Sequence, residues 1–84
     1  MQIKPIASNM TELTFTPKET TAYGDFSVLY SYPTPVAGYS DEGAFRTDKY
    51  YSVTTSKHIN KYLGGKHIGK VVPQSYIDAL VEDK

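Results

Sequence analysis

Thr54-Thr55-Ser56-Lys57-His58 puts three hydroxyls, a fixed cation and a titratable imidazole into five consecutive residues. These are the groups that hold a phosphate or a carboxylate, because hydroxyls and cations supply charge-assisted hydrogen bonds and the free amides of a helix start add more. The spacing that follows predicts a helix from about Thr55 to Leu63, with Thr55, Ile59, Tyr62 and Leu63 at i, i+4, i+7 and i+8 on one stripe. Its first turn then carries Lys57 and His58, where Asp or Glu normally faces the free amides. A functional site is expected where a local rule is broken in this way. The ordinary structural reading is that Thr54 or Thr55 caps the helix, Lys57 points to water and His58 packs beside Tyr62.

Lys61, Lys66 and Lys70 extend the cationic run, with His67 between them. Together with Tyr50, Tyr51 and Tyr62 as stacking surfaces, the run makes nucleic acid the natural anionic partner. Charge along the chain supports a polarised molecule. Residues 1–48 carry Lys4, Lys18 and Arg46 against Glu12, Glu19, Asp25, Asp41, Glu42 and Asp48, a balance of −3. From 49 to 77 there is no acid, and five lysines give +5; the tail from Asp78 returns −2, so the net charge is 0. The lysine-rich footprint, with Arg46 as the sole arginine, lacks the bidentate donors that usually read bases and phosphates. The acidic residues at the hairpin tips suit a different partner, the basic cleft of another protein.

Other chemistries find less support. Gly64-Gly65-Lys66-His67-Ile68-Gly69-Lys70 has the G-x-x-x-x-G-K spacing of a nucleotide-binding loop, but Val71 stands where Ser or Thr must reach the metal and a helix precedes where a strand is required. Ser56, His58 and Asp48 are the residue types of a hydrolytic triad, yet Ser56 and His58 are two apart at a helix start and point apart. His58 and His67 have no third partner at metal-ligand spacing. No catalytic residue, metal site or cofactor is assigned, and the expectation is a protein that is not an enzyme.

The elements that must position these groups fit one small domain over residues 1–84, with no internal repeat or linker. The chain has no cysteine, which excludes disulfides and thiolate metal sites and suits a reducing compartment. No stretch reaches the roughly 20 apolar residues that a helical span needs, and Met1–Ile6 contains no apolar run of signal-peptide length, so an unexported protein without a membrane partner is expected. Eight tyrosines and three phenylalanines point to an aromatic-filled sheet with one half-wet face.

Alternation predicts strands over Asn9–Thr16, Phe26–Tyr32 and Ala44–Val53, with the polar segment Pro17–Asp25 closing a hairpin between the first two. Pro33 and Pro35 make Tyr32–Val36 an edge or a connection. Lys66–Val72 suits a short fourth strand, and a last helix runs from Pro73 to about Glu82. The fold class expected is α+β: a three- to four-stranded antiparallel sheet packed with two short helices, in the order β-β-β-α-(β)-α.

Tyr51–Leu63, with its Thr-Thr-Ser-Lys-His-Ile-Asn core, Tyr32-Pro33-Thr34-Pro35-Val36-Ala37, Val71-Val72-Pro73-Gln74 and the opening Ile6–Leu13 resemble a family of very small bacteriophage proteins of unknown function. The resemblance covers most of the chain and assigns no catalytic or binding residue. It implies a phage accessory protein in the host cytoplasm that acts by stoichiometric binding rather than turnover. The function expected is binding of an anionic partner, nucleic acid first, through Thr54, Thr55, Ser56, Lys57, His58, Lys61, Lys66 and Lys70. Two alternatives remain open: a protein-binding inhibitor or modulator of a host or defence protein, and a small-nucleotide-binding module built on Thr54–His58. Nothing in the spacing selects monomer or homodimer.

Overall fold

Strands that the sequence pattern conceals enlarge the sheet beyond what alternation predicts. The computed structural model describes residues 2–16 and 26–82. Their elements run β1 (Gln2–Ala7), β2 (Met10–Phe15), β3 (Phe26–Ser31), β4 (Thr34–Ser40), β5 (Gly43–Thr47), α1 (Val53–Leu63), β6 (Lys70–Val72) and α2 (Gln74–Val81). The strands form one six-stranded sheet whose spatial order is the chain order. β1 to β5 pair antiparallel in succession, whereas β6 pairs parallel to β5 after α1 has crossed over. A parallel neighbour requires such a crossover, and a helix supplies it. The expected three- to four-stranded antiparallel sheet and its order β-β-β-α-(β)-α are therefore corrected to a mixed six-stranded sheet with two helices.

The missed strands contain the residues that usually argue against a strand. All of β1 is exposed, so it has no buried alternation to detect, and Pro5 lies at a register shift against β2. An edge position tolerates that proline, since an outward-facing N–H would have no ladder partner. In β4, Pro35 lies opposite Tyr30 beside another register shift. Gly38 also reads as a loop residue, but its role is close approach: a Cβ there would lie 2.1 Å from the Ser27 carbonyl oxygen and 2.7 Å from the Phe45 ring. The third expected strand, Ala44–Val53, stops at Thr47, and Lys66–Val72 contributes only Lys70–Val72. The expected connection Pro17–Asp25 lies outside the described residues, although β2 and β3 do pair antiparallel.

Both sheet faces carry a core, each closed by one helix. Leu13, Phe15, Phe26, Val28, Phe45 and Val72 gather with Ile77 of α2, and Met10, Leu29, Val36 and Ala37 gather with Ile59 and Leu63 of α1. The face expected to be half-wet is instead the floor beneath α1, which explains why Leu29 interrupts the alternation of β3. Each large apolar side chain enclosed this way contributes about 1.5–3 kcal/mol.

α1 begins two residues earlier than its apolar stripe suggests. Ser52 is the N-cap, in extended backbone, and its hydroxyl accepts from the Thr55 N–H, so the cap is neither Thr54 nor Thr55. Gly64 ends the helix in the left-handed region at φ 90°, donating its N–H to the Asn60 carbonyl at 2.9 Å. With Val53 as the first helical residue, Lys57 and His58 fall in the second turn, and the first turn holds no acid. The unusual charge therefore sits beyond the free amides, where the helix dipole is already weak.

Candidate nucleic-acid interface

α1 rests on the end of β3 through a chain of hydroxyls. Ser52 Oγ donates to Thr55 Oγ1 at 3.3 Å, Thr55 Oγ1 lies 3.1 Å from Ser31 Oγ, and Ser31 Oγ lies 2.8 Å from His58 Nδ1. Ser31 is 2 % exposed and Thr55 is also buried. A buried hydroxyl left without a partner would be costly, and here each one has a partner. The Ser31 and His58 pair has the residue types of a nucleophile and base, with the Ser31 hydroxyl enclosed between β3 and α1.

Position within α1 divides the candidate residues. Thr55 faces the sheet and is committed to Ser31 and Ser52. Ser56 is half-buried, and its N–H donates to the Ser52 carbonyl. Thr54, Lys57 and Lys61 are exposed on the opposite side of the helix, and His58 lies at the margin with its Nδ1 engaged. Beyond the helix, Lys66 and His67 are exposed in the loop that Arg46 holds down. Arg46 donates to the Ile68 carbonyl at 2.9 Å, the Gly65 carbonyl at 2.7 Å and Asn60 Oδ1 at 3.2 Å. Arg46 is therefore spent on fixing the basic loop to β5.

Lys70 is separated from the other lysines. It pairs with Phe45 in the β5–β6 ladder, and paired residues share a face, so it belongs to the α2 side. There it borders a cleft of about 270 Å³ with Glu42, Phe45, Pro73 and Tyr76. Burial, with Glu42 and then Asp41 nearby, pushes the Tyr76 phenol up.

The tyrosines proposed as stacking surfaces also separate. Tyr62 donates to Glu12 Oε2 between α1 and β2 and packs against Tyr39 at 5.5 Å between ring centres. Desolvation first, then the hydrogen bond and charge of Glu12, holds its phenol well above the ordinary tyrosine range. Tyr51 lies under the Lys49 ammonium at 5.1 Å, and burial first, then Asp78 and Asp48, pushes its phenol up. Tyr50 is 68 % exposed. Tyr32, which the strand pattern assigned to β3, lies beyond the strand's end at φ 56° with its ring 5.9 Å from the His58 ring.

Sequence reasoning missed Ser31, Ser52, Tyr32 and Arg46 at this surface. Ser52 is of a residue type favoured at the N-cap, which was the local signal for it. No local signal marks Ser31, which is 24 and 27 residues from its partners. Among the described residues, α1 exposes Lys57 and Lys61, and Glu12 of β2 is occupied by Tyr62. α2 carries Asp78 without a cation. Among the described residues, no three His, Asp or Glu side chains group as metal ligands, and no helix is long and apolar enough to cross a membrane.

No curated protein and no solved structure matches the chain. A family described as "Family of unknown function (DUF8033)" matches residues 1–79, nearly the whole length. The chain belongs to that family, DUF8033.

Proposed function

We propose that the protein binds nucleic acid through the outer side of α1 and the loop after it, with Lys57, Lys61 and Lys66 meeting phosphates and His58 and His67 adding protonatable donors. The observation that carries this reading is the sidedness of charge: exposed cations on α1, and acid on α2 across the sheet. Cations that converge on one side act together on a polyanion, and the counterions they displace make affinity salt-dependent. Thr54 and Ser56 add hydroxyls at the same end. The reading is of a binder without turnover, and the resemblance to small bacteriophage proteins supports placing it in an infected host's cytoplasm.

The test is fluorescence anisotropy with labelled oligonucleotides across a salt series. Lys57→Glu with Lys61→Glu is expected to abolish binding at unchanged thermal stability, and unchanged affinity in that variant would exclude the reading. A protein-binding modulator is the second reading, favoured by exposed Ile68, just before the three-residue β6, and exposed Val71 within it. Among the described residues that strand has no neighbour beyond it, so its edge and the cleft of about 270 Å³ can accept an extended segment. A nuclease-resistant complex lost in Val71→Lys supports this reading, and persistence in that variant removes it.

A further inference from the structure

Tyr32 occupies a backbone position that a tyrosine does not choose. Ser31 pairs with Thr34, so Tyr32 and Pro33 alone form the loop of the β3–β4 hairpin. Tyr32 has φ 56°, and the ring of Pro33 fixes the next φ near −65°. Positive φ followed by negative φ is the pattern of a II′ hairpin turn, whose first position normally takes glycine. A bulky side chain there is a genuine outlier, and such outliers gather at functional sites.

The surrounding structure holds the strained residue in place. The Tyr32 N–H donates to the Asn9 carbonyl of the neighbouring β1–β2 turn at 2.8 Å. Its ring meets the His58 ring at 45°, and Ser31 Oγ fixes that imidazole through Nδ1. The side chain nonetheless remains 50 % exposed, so burial does not account for a tyrosine there. The result is a flat, outward ring set against His58, a residue that follows Lys57 in the helix and precedes Lys61 by about one turn.

We infer that Tyr32 is a stacking platform for an unpaired base, and that the nucleic acid bound on the α1 side is single-stranded. This inference rests on the proposed nucleic-acid reading. Duplexes keep their base faces stacked inside, whereas a single strand offers a π-face at every nucleotide while its phosphates follow the lysines. Lys57 and Lys61 stand about 6 Å apart along the helix axis, so they make a short cationic track leading away from the ring. Tyr50, two residues before the Ser52 cap, supplies another exposed ring at the same end of the helix.

The experiment compares a labelled single-stranded oligonucleotide with its duplex, using wild type, Tyr32→Gly, Tyr32→Asn and Tyr32→Phe. Glycine removes both ring and strain, so Tyr32→Gly is expected to melt at or above the wild-type temperature while single-strand affinity falls about tenfold or more. The salt slope should stay the same, because stacking displaces no counterion. Tyr32→Phe should bind within about twofold of wild type. Asparagine also tolerates positive φ, so Tyr32→Asn decides the question if the glycine variant does not fold. Wild-type affinity in a folded Tyr32→Gly or Tyr32→Asn, or equal binding of duplex and single strand, overturns the stacking role while the basic-surface reading stands. Wild type that binds neither form overturns both.

Discussion

Ser31 joins the hydroxyl of Thr55 to the imidazole of His58 at the buried end of β3, so its oxygen is the point on which the α1 anchorage turns. Ser31→Ala takes the partner from His58 Nδ1 and leaves Thr55 Oγ1 with Ser52 alone, and is expected to cost about 1–3 kcal/mol, read as a shifted denaturant midpoint. Tyr62 makes a pH-dependent contribution. Its folded-state phenol titrates above the ordinary range, so the native protein keeps a proton that the unfolded chain releases above about pH 10. The stabilisation is intact below that pH and is lost as pH rises beyond it. Denaturation profiles from about pH 9 to 11 should therefore fall more steeply in wild type than in Tyr62→Phe. Tyr30, Tyr51 and Tyr76, whose phenols burial also pushes up, contribute slope that remains in the variant. These residue-scale roles were unevenly legible: Thr55 was identifiable from helical spacing, whereas Ser31 and Glu12 acquire their partners only when distant segments meet.

The loop between α1 and β6 depends on an element elsewhere in the chain. Arg46 from β5 satisfies two carbonyls of that loop and the Asn60 side chain, which keeps the basic segment in place and leaves the parallel strand a fixed start. Arg46→Met is expected to destabilise the fold by about 2–3 kcal/mol, with amide exchange rising first across residues 64–69. Retained protection there would show that the loop holds itself. Gly38 has the corresponding role within the sheet, where Gly38→Ala forces a Cβ against the Ser27 backbone and the Phe45 ring. A loss of about 3 kcal/mol or failure to fold is expected, since backbone cannot yield as a flexible side chain can. At this scale α1 and α2 were readable from periodicity and β2 and β3 from alternation, with ends displaced by one to two residues. β1 and β4 were not, because proline and glycine are excluded from strands only by local rules. An edge position and a register shift satisfy those rules differently.

Among the described residues the two helices differ in charge, α1 carrying lysines and α2 an aspartate, and the sheet lies between them. α1 presents Lys57 and Lys61, while Lys70 projects on the face shared with α2. If nucleic acid binds the α1 side, Lys70→Glu should leave affinity within about twofold and Lys57→Glu should lower both affinity and salt slope. Equal losses from the two would place the contact surface elsewhere. The amino-acid sequence by itself determined the polarity of charge along the chain, the apolar stripes of the helices and the absence of thiol chemistry, because each is a property of composition or short-range spacing. Tertiary structure alone decided that the sheet has six strands, that each of its faces carries a core, that Lys70 parts from the other lysines, and that Tyr32 stands out beside His58. The physical reason is the same in each case: strand pairing and burial are long-range, and the free energy of a proline, a glycine or a tyrosine in a strained turn depends on neighbours that the chain brings together only by folding.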